Sequence, residues 1–269
     1  MNISVADIAC GSGIFLEEAF AYLQDYCVQW YICNGQTDHL IETGIDLYKL
    51  PLQEKKDILC SCIYGIDIDI HAVEVAKFSL LIKLIEDETA PSVAEVVPIL
   101  PDLGDNIQFG NSLVSQAELN GISCANHQMM EISPFDWSAI NNGCGFDVII
   151  GNPPYVNTEG MHTLLPSVEV EVYKKKYKTS HKQFDKYFIF IEQAINKIKE
   201  NGLVCYIVPN KFFKIGAGEK LRNLIAKERM LISLDDFGDA QLFEDKTIYS
   251  SIILLSKVKQ TTFVYSSVD

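Results

Sequence analysis

The sequence predicts an α/β domain: a mostly parallel sheet of seven strands with helices on both faces. Three observations lead there. Short runs rich in Ile, Val and Phe alternate with longer helical stretches, the pattern of strands joined by helical crossovers. Several of those runs close on a glycine or an acid, as strands do where they hand over to a helix. No period of repeat length and no low-complexity tract interrupts the alternation.

In order, Ile3–Ile8 reads as an apolar strand, Gly11–Gly13 punctuates it, and a helix follows from about Ile14 to Tyr26. Ile63–Asp67 is a second strand. The helix after it, from about His71 to Glu86, is apolar nearly all round, which predicts burial on more than one side. Asn106–Phe109 and Phe146–Ile150 are further strands, the latter ending in Gly151. Asp185–Glu200 is a strong helix with Asn201-Gly202 as its stop signal. Leu203–Val208 returns as a strand and breaks at Pro209. Ala217–Lys227 is helical, Met230–Phe237 and Ser250–Lys257 complete the seven strands, and the tail around Thr262–Tyr265 pairs briefly. The whole of 1–269 reads as one catalytic domain, with insertions at about 27–60, 87–104 and 115–143.

Composition narrows the class. The apolar share of 48% suits a chain that buries a full core. Apolar stretches stay well short of the roughly 20 residues a membrane span needs. The N-terminus lacks the pattern of a signal peptide, so a cytoplasmic protein is expected. The eight cysteines are scattered. Cys60 and Cys62 form only a C-x-C, so no metal site is expected. Acids outnumber bases 36 to 22, for a net charge of −14, whereas a nucleic-acid binder ordinarily presents a basic face. One stretch opposes that average. Lys174, Lys175, Lys176, Lys178, Lys182 and Lys186 lie together with Asp185 as the single acid among them. Such a run is either a solvated face or a phosphate-contacting loop.

Three motifs carry the chemistry. The first is Asp7-Ile8-Ala9-Cys10-Gly11-Ser12-Gly13 at the end of the first strand. Glycines there allow a tight turn and a close backbone approach to a ligand. It is not a G-x-G-x-x-G, because Leu16 stands where the third glycine would be, and no phosphate-binding lysine follows. An uncharged or zwitterionic ligand fits better than a polyphosphate. The second is Gly65-Ile66-Asp67-Ile68-Asp69. Asp67, at a strand end, is placed to take both ribose hydroxyls of a nucleoside, and Asp69 to cap the helix that follows.

The third motif is Asn152-Pro153-Pro154-Tyr155, behind the apolar run Phe146–Gly151. An exocyclic amine is a poor nucleophile because its lone pair is conjugated into the ring. Two acceptors aimed at its hydrogens localise that pair. The Asn152 side-chain carbonyl is one candidate. The Pro153 backbone carbonyl is the other, in a segment that two prolines hold extended. Tyr155 offers an aromatic face to an extruded base.

Together and in this order, the motifs resemble the amino-methyltransferase superfamily. Asn152–Tyr155 is specifically similar to the motif of adenine-N6 DNA methyltransferases, in the arrangement of gamma-type enzymes of type IIG restriction–modification systems. The resemblance implies a Rossmann-like, S-adenosylmethionine-dependent methyltransferase fold acting on a flipped adenine in DNA. It implies Asn152, Pro153, Pro154 and Tyr155 as catalytic residues. Asp7, Ala9, Gly11, Gly13, Asp67, Asn111, Ser112 and Asn152 are the implied cofactor-binding set, with Asn111 contacting the cofactor adenine where the family usually has Asp. Phe243 is implied to sandwich the base opposite Tyr155, with Phe184 and Tyr187 as weaker candidates. The family's mobile loop after this motif makes the lysine run a phosphate-contact candidate.

The chain departs from the family in two places. Only Met1–Ala6 precede the glycine motif, where a helix normally helps hold the cofactor's methionine, and no target-recognition domain follows the last strands. With the acidic charge, this predicts dependence on further domains of a longer chain or on a specificity subunit. Two other substrates suit the same clamp, a protein glutamine amide and guanine N2 in RNA. A non-enzymatic alternative is a silent scaffold subunit.

Overall fold

The structure, a computed structural model, describes residues 3–89, 92–93, 96–120, 126–241 and 249–267. Ten strands are described: β1 (Val5–Asp7), β2 (Ile41–Gly44), β3 (Leu47–Lys49), β4 (Ile63–Asp67), β5 (Ile107–Phe109), β6 (Phe146–Gly151), β7 (Ile198–Pro209), β8 (Leu231–Gln241), β9 (Tyr249–Ser256) and β10 (Val264–Ser267). The first helices are α1 (Ile14–Cys33), α2 (Leu52–Cys62), α3 (Ile70–Ile85), α4 (Gln116–Leu119) and α5 (Asn126–Ile132). They are followed by α6 (Thr158–Leu164), α7 (Ser167–Lys176), α8 (Lys186–Lys197) and α9 (Glu219–Glu228).

Eight strands form one sheet in the order β10-β8-β9-β7-β6-β1-β4-β5, and β2 and β3 pair separately as a hairpin. β5, β4, β1, β6 and β7 run parallel, whereas β9 is antiparallel to both β7 and β8. This is the Rossmann-like fold that the sequence predicts. An eighth strand joins the predicted seven: the tail pairs in parallel with β8, with Val264 opposite Ser233.

β1 lies at the centre, with Val5 opposite Ile63 of β4 on one side and Val148 of β6 on the other. The chain runs outward from β1 to β4 and β5, then crosses back to β6. The C-terminal ends of β1 and β6 therefore flank the topological switch point, where open α/β sheets bind ligands.

Alternate side chains feed two cores, as the two-residue period of a strand requires. Val5 and Ile63 pack with Leu16 and Phe20 of α1 and with Ala76 and Leu80 of α3. Ala6, Tyr64 and Ile149 pack on the other face with Phe188, Ile191 and Ile195 of α8. α8 is enclosed along almost its whole length, since every residue from Lys186 to Ile195 is buried.

Element bounds shift by a few residues at several points, and three differences from the sequence reading bear on the core and the sheet. α3 is not enclosed on several sides. It buries Val73, Ala76, Leu80 and Leu84 and leaves Ile70, Val75, Phe78 and Ile82 exposed, Phe78 by 64%. Helix α1 continues to Cys33, well past Tyr26, so the presumed insertion at 27–60 is the end of α1, the hairpin and α2. α8 ends at Lys197 rather than Glu200, because Ile198 already pairs with Phe146. Asn201-Gly202 falls inside β7, and sheet pairing overrides its helix-stop signal. A Cβ at Gly202 would stand 2.9 Å from the Phe146 carbonyl.

Candidate active site

The loop after β1 is tied to the end of β4 from several points. Cys10 N donates to the Ile66 carbonyl at 3.0 Å, and Gly13 N to the Cys10 carbonyl at 2.9 Å. Gly11 N donates to Asp67 Oδ2 at 2.8 Å, and Asp69 N to Oδ1 of the same carboxylate at 2.9 Å. Asp67 therefore fixes both the glycine turn and the start of α3, where the Asp69 carboxylate caps His71 N at 2.9 Å.

Gly11 adopts φ +54, and a Cβ there would meet open space, so the turn presents bare backbone outward. Gly13, at φ +92, has a different neighbour: its missing Cβ would stand 3.0 Å from Ala76 Cβ, which brings α3 hard against the turn. Ala9 is half-buried and donates its N–H to Asp7 Oδ1 at 3.0 Å.

Asp7 is 2% exposed, at the C-terminal end of β1. Burial pushes its carboxyl pKa up to about 7; the Ala9 N–H opposes that rise and the Asp67 charge adds to it. Gly151, at φ +146, passes so close that a Cβ would lie 2.6 Å from Asp7 Oδ1. The glycine thus lets β6 close over this carboxyl before the chain turns into Asn152. On β7, opposite Gly151, the Tyr206 hydroxyl is buried with no hydrogen-bond partner among the described residues.

Asn152 is half-buried, Pro153 buried and Pro154 exposed. The Tyr155 hydroxyl donates to Asn152 Oδ1 and also lies 3.0 Å from the Ile207 carbonyl of β7. A side-chain carbonyl has two lone pairs, so one remains for a ligand donor. The Tyr155 ring meets Tyr187 edge-on, with centroids 5.8 Å apart and planes at 81°. Burial and the Asp185 charge both push the Tyr155 phenol upward, which keeps the hydroxyl a proton donor.

Asn111 and Ser112 follow β5 but turn their side chains into the protein. Ser112 Oγ donates to the Ile8 carbonyl at 2.6 Å. Asn111 Nδ2 donates to Glu169 Oε1 at 2.9 Å, and its Oδ1 accepts from Leu113 N at 3.1 Å. Both residues serve here as framework, and a ligand contact from Asn111 requires it to exchange its Glu169 partner.

The structure thus gathers Asp7, Ala9, Gly11, Asp67 and the Asn152–Tyr155 segment at the C-terminal edge of β1, β4 and β6. Phe184 and Tyr187 are fully buried, which places them in the core and not on an open base site. Phe243 lies outside the described residues. Within the lysine run, Lys174, Lys175, Lys178 and Lys182 are exposed, Lys176 pairs with Glu118 at 3.0 Å, and Lys186 is buried.

Comparison with known proteins identifies the group. A profile described as Eco57I restriction-modification methylase matches residues 61–243. The chain belongs to this family. It is 43% identical over 268 residues to the type II restriction enzyme and methyltransferase RM.Eco57I of Escherichia coli, covering 100% of this chain and 26% of that protein. The type II methyltransferase M.BstVI of Geobacillus stearothermophilus is 24% identical over 257 residues, covering 94% of this chain and 37% of that protein. The chain therefore spans 26% and 37% of these relatives' lengths.

Among solved structures, a DNA complex of DrdV superposes with TM-score 0.62 at 14% identity, covering 100% of this chain and 24% of that one. A putative class I S-adenosylmethionine-dependent methyltransferase from Listeria monocytogenes gives 0.51 at 15%, covering 99% and 58%. At these identities the likeness speaks for the fold. The methylase family and the methyltransferase fold make S-adenosylmethionine the cofactor.

Several polar residues of this region escape sequence reasoning. Glu169 and Tyr173 of α7 stand behind Asn111, with the Tyr173 hydroxyl donating to the same Glu169 oxygen. Asp185 takes Lys211 Nζ on Oδ2 at 2.7 Å, while its buried Oδ1 has no hydrogen-bond partner among the described residues. The sequence carried no local motif around them that could have singled them out.

Proposed function

We propose that this chain is the catalytic part of a restriction–modification enzyme and transfers a methyl group from S-adenosylmethionine to the N6 amino group of adenine in DNA. The observation that carries the reading is the pairing, across one switch point, of an open glycine turn with a rigid Asn-Pro-Pro-Tyr segment. The residues fit the cofactor. Gly11 leaves open space where a side chain would intrude, and Asp67 supplies a half-exposed carboxylate at the end of β4 for ribose hydroxyls. Ala9, Gly13 and the backbone around them complete that wall.

The bound cofactor supplies an electrophilic methyl group on a sulfonium. The chain's task is to make a conjugated amine nucleophilic and to aim it. Asn152 Oδ1 and the Pro153 carbonyl accept the two N6 hydrogens, which turns the nitrogen lone pair out of conjugation. The Tyr155–Asn152 hydrogen bond holds the amide so that its remaining lone pair faces the substrate. The amine then carries a surplus proton, which is acidic and leaves to solvent, so no strong base is needed. The Tyr155 ring, steadied from behind by Tyr187, is the stacking surface for a base extruded from the duplex. Exposed Lys174, Lys175, Lys178 and Lys182 are candidates for phosphate contacts. With a net charge of −14, site-specific binding rests on further domains or a specificity subunit, acting on DNA in the cytoplasm.

The test is a tritiated-methyl assay on duplex DNA, tRNA and a glutamine-bearing protein in parallel, with the modified group identified. N6-methyladenine in DNA is expected. Label appearing as N2-methylguanine in RNA or as a methylated amide would replace this reading. Asn152→Ala should lower kcat by on the order of 10²–10³-fold, as loss of one transition-state hydrogen-bonding group does, with cofactor binding retained.

A further inference from the structure

Lys186 is the first residue of α8, and its backbone N–H donates to the Val156 carbonyl at 2.8 Å, directly after Tyr155. The residue is only 9% exposed. The ammonium stands over the Tyr173 ring, 5.7 Å from the centroid, and the acidic charges acting on it are Glu169 and Asp67. Among the described residues, it has neither a hydrogen-bond acceptor nor an ion-pair partner within 4 Å. A buried ammonium left this way is costly, and it is usually paired or neutralised.

Glu169 is complementary. It is 1% exposed, and Oε1 takes both Asn111 Nδ2 and the Tyr173 hydroxyl. Oε2 has no hydrogen-bond donor among the described residues. The Lys186 ammonium and the Glu169 carboxyl thus meet at Tyr173, one over its ring and the other bonded to its hydroxyl, without bonding each other, beside Asn111 after the end of β5. Adenine presents this complement on one edge, an amino donor adjacent to a ring-nitrogen acceptor.

We propose that Lys186 and Glu169 are binding residues for the adenosyl half of the cofactor, the ammonium donating to a ring nitrogen and Glu169 Oε2 accepting from the exocyclic amine. This rests on the methyltransferase reading above. It relocates the polar recognition that Asn111 was expected to provide onto the neighbouring helices, with Asn111 fixing Glu169 in place. The Tyr173 ring supports the lysine stem and its charge. Binding fills the hydrogen-bonding capacity that the protein alone leaves empty.

The test is calorimetric binding of S-adenosylhomocysteine and of 5′-methylthioadenosine, which lacks the amino-acid half, to wild type, Lys186→Met and Glu169→Gln. DNA affinity is measured beside it. Lys186→Met should weaken both ligands by the same factor, about ten- to a hundredfold, the worth of one charge-assisted hydrogen bond, while DNA affinity stays unchanged. Glu169→Gln should weaken both ligands and narrow the preference for adenosine over inosine analogues. Loss confined to S-adenosylhomocysteine would place Lys186 at the amino-acid end and overturn the assignment. A lower melting temperature with unchanged ligand affinity would overturn it too, since the role is then structural. Lys186→Arg, which keeps the charge, should bind more tightly than Lys186→Met and covers the case in which the methionine variant does not fold; equal weakening in both folded variants would count against the charge. Failure of wild type to bind either ligand would instead sink the methyltransferase reading beneath it.

Discussion

Gly151 and Asp7 approach so closely that a single methyl group has no room between them: the nearest carboxylate oxygen lies 2.6 Å from where a Cβ would stand. The glycine also sits at φ +146, which L side chains rarely adopt. Gly151→Ala should therefore destabilise the fold by about 2–4 kcal/mol, through backbone strain and overpacking together. It should also misplace Asn152, the next residue. A lowered denaturation midpoint with loss of methyl transfer is expected; an alanine variant with wild-type stability would mean that the two strand ends are looser than described.

The same buried carboxyl makes stability depend on pH. Asp7 titrates near 7 in the folded chain and near 3.8 when unfolded, chiefly because burial penalises its charge. A raised folded pKa means that the native state binds more protons. Its contribution is fully present below pH 3.8, is lost as pH rises through about 7, and is flat above that. Asp7→Asn keeps an oxygen for the Ala9 N–H and removes the titration. Its stability relative to wild type should rise between pH 4.5 and 8 in denaturant unfolding. Parallel curves for the two proteins would assign the pH dependence to another group.

Tyr155 has two separable parts. Its hydroxyl bonds Asn152 Oδ1 and lies beside the Ile207 carbonyl, and its ring, the stacking surface of the proposed function, meets Tyr187 edge-on. Tyr155→Phe keeps the ring and releases the Asn152 amide. We expect kcat to fall about tenfold, with about 1 kcal/mol lost in stability from the broken hydrogen bond and S-adenosylhomocysteine affinity unchanged. Tyr155→Ala should lose the stacking surface as well and weaken binding of DNA carrying an extruded base. Equal kinetics in the two variants would leave the hydroxyl without a positioning role.

Only part of the candidate site was legible in the sequence. The glycine turn, Asp67 and Asn152–Tyr155 are short contiguous motifs at strand ends, where local chemistry dictates residue type. Glu169 and Lys186 come from two helices that meet only in the tertiary structure. Lys186 stood inside a basic run that reads the same whether its members face solvent or a pocket. Asn111 was legible as a polar position after β5, but the direction of its side chain depends on Glu169, 58 residues away. The misjudged enclosure of α3 has a similar origin. Hydrophobicity on all sides fits burial on all sides, yet the described fold covers only the face bearing Val73, Ala76 and Leu80.

Asp67 holds the glycine turn and the start of α3, and the proposed function gives it the cofactor ribose as well; its variants separate the two. One oxygen accepts from Gly11 N and the other from Asp69 N, so both must remain acceptors for the turn and the start of α3 to hold. Asp67→Asn replaces one acceptor by a donor that faces a backbone N–H, leaving that N–H unpaired at a cost of about 1–3 kcal/mol. Asp67→Ala removes both acceptors but leaves space for water. Both variants should lose at least tenfold in affinity for S-adenosylhomocysteine, because a ribose diol gains most from a charged acceptor. Asn should be the less stable of the two if orientation of the turn dominates, and the more stable if bulk at this site dominates. Thermal melts with and without ligand separate these cases, since a residue that only shapes the turn would lower the ligand-free melt while sparing the ligand-induced shift, whereas a ribose ligand would lose the shift in both variants.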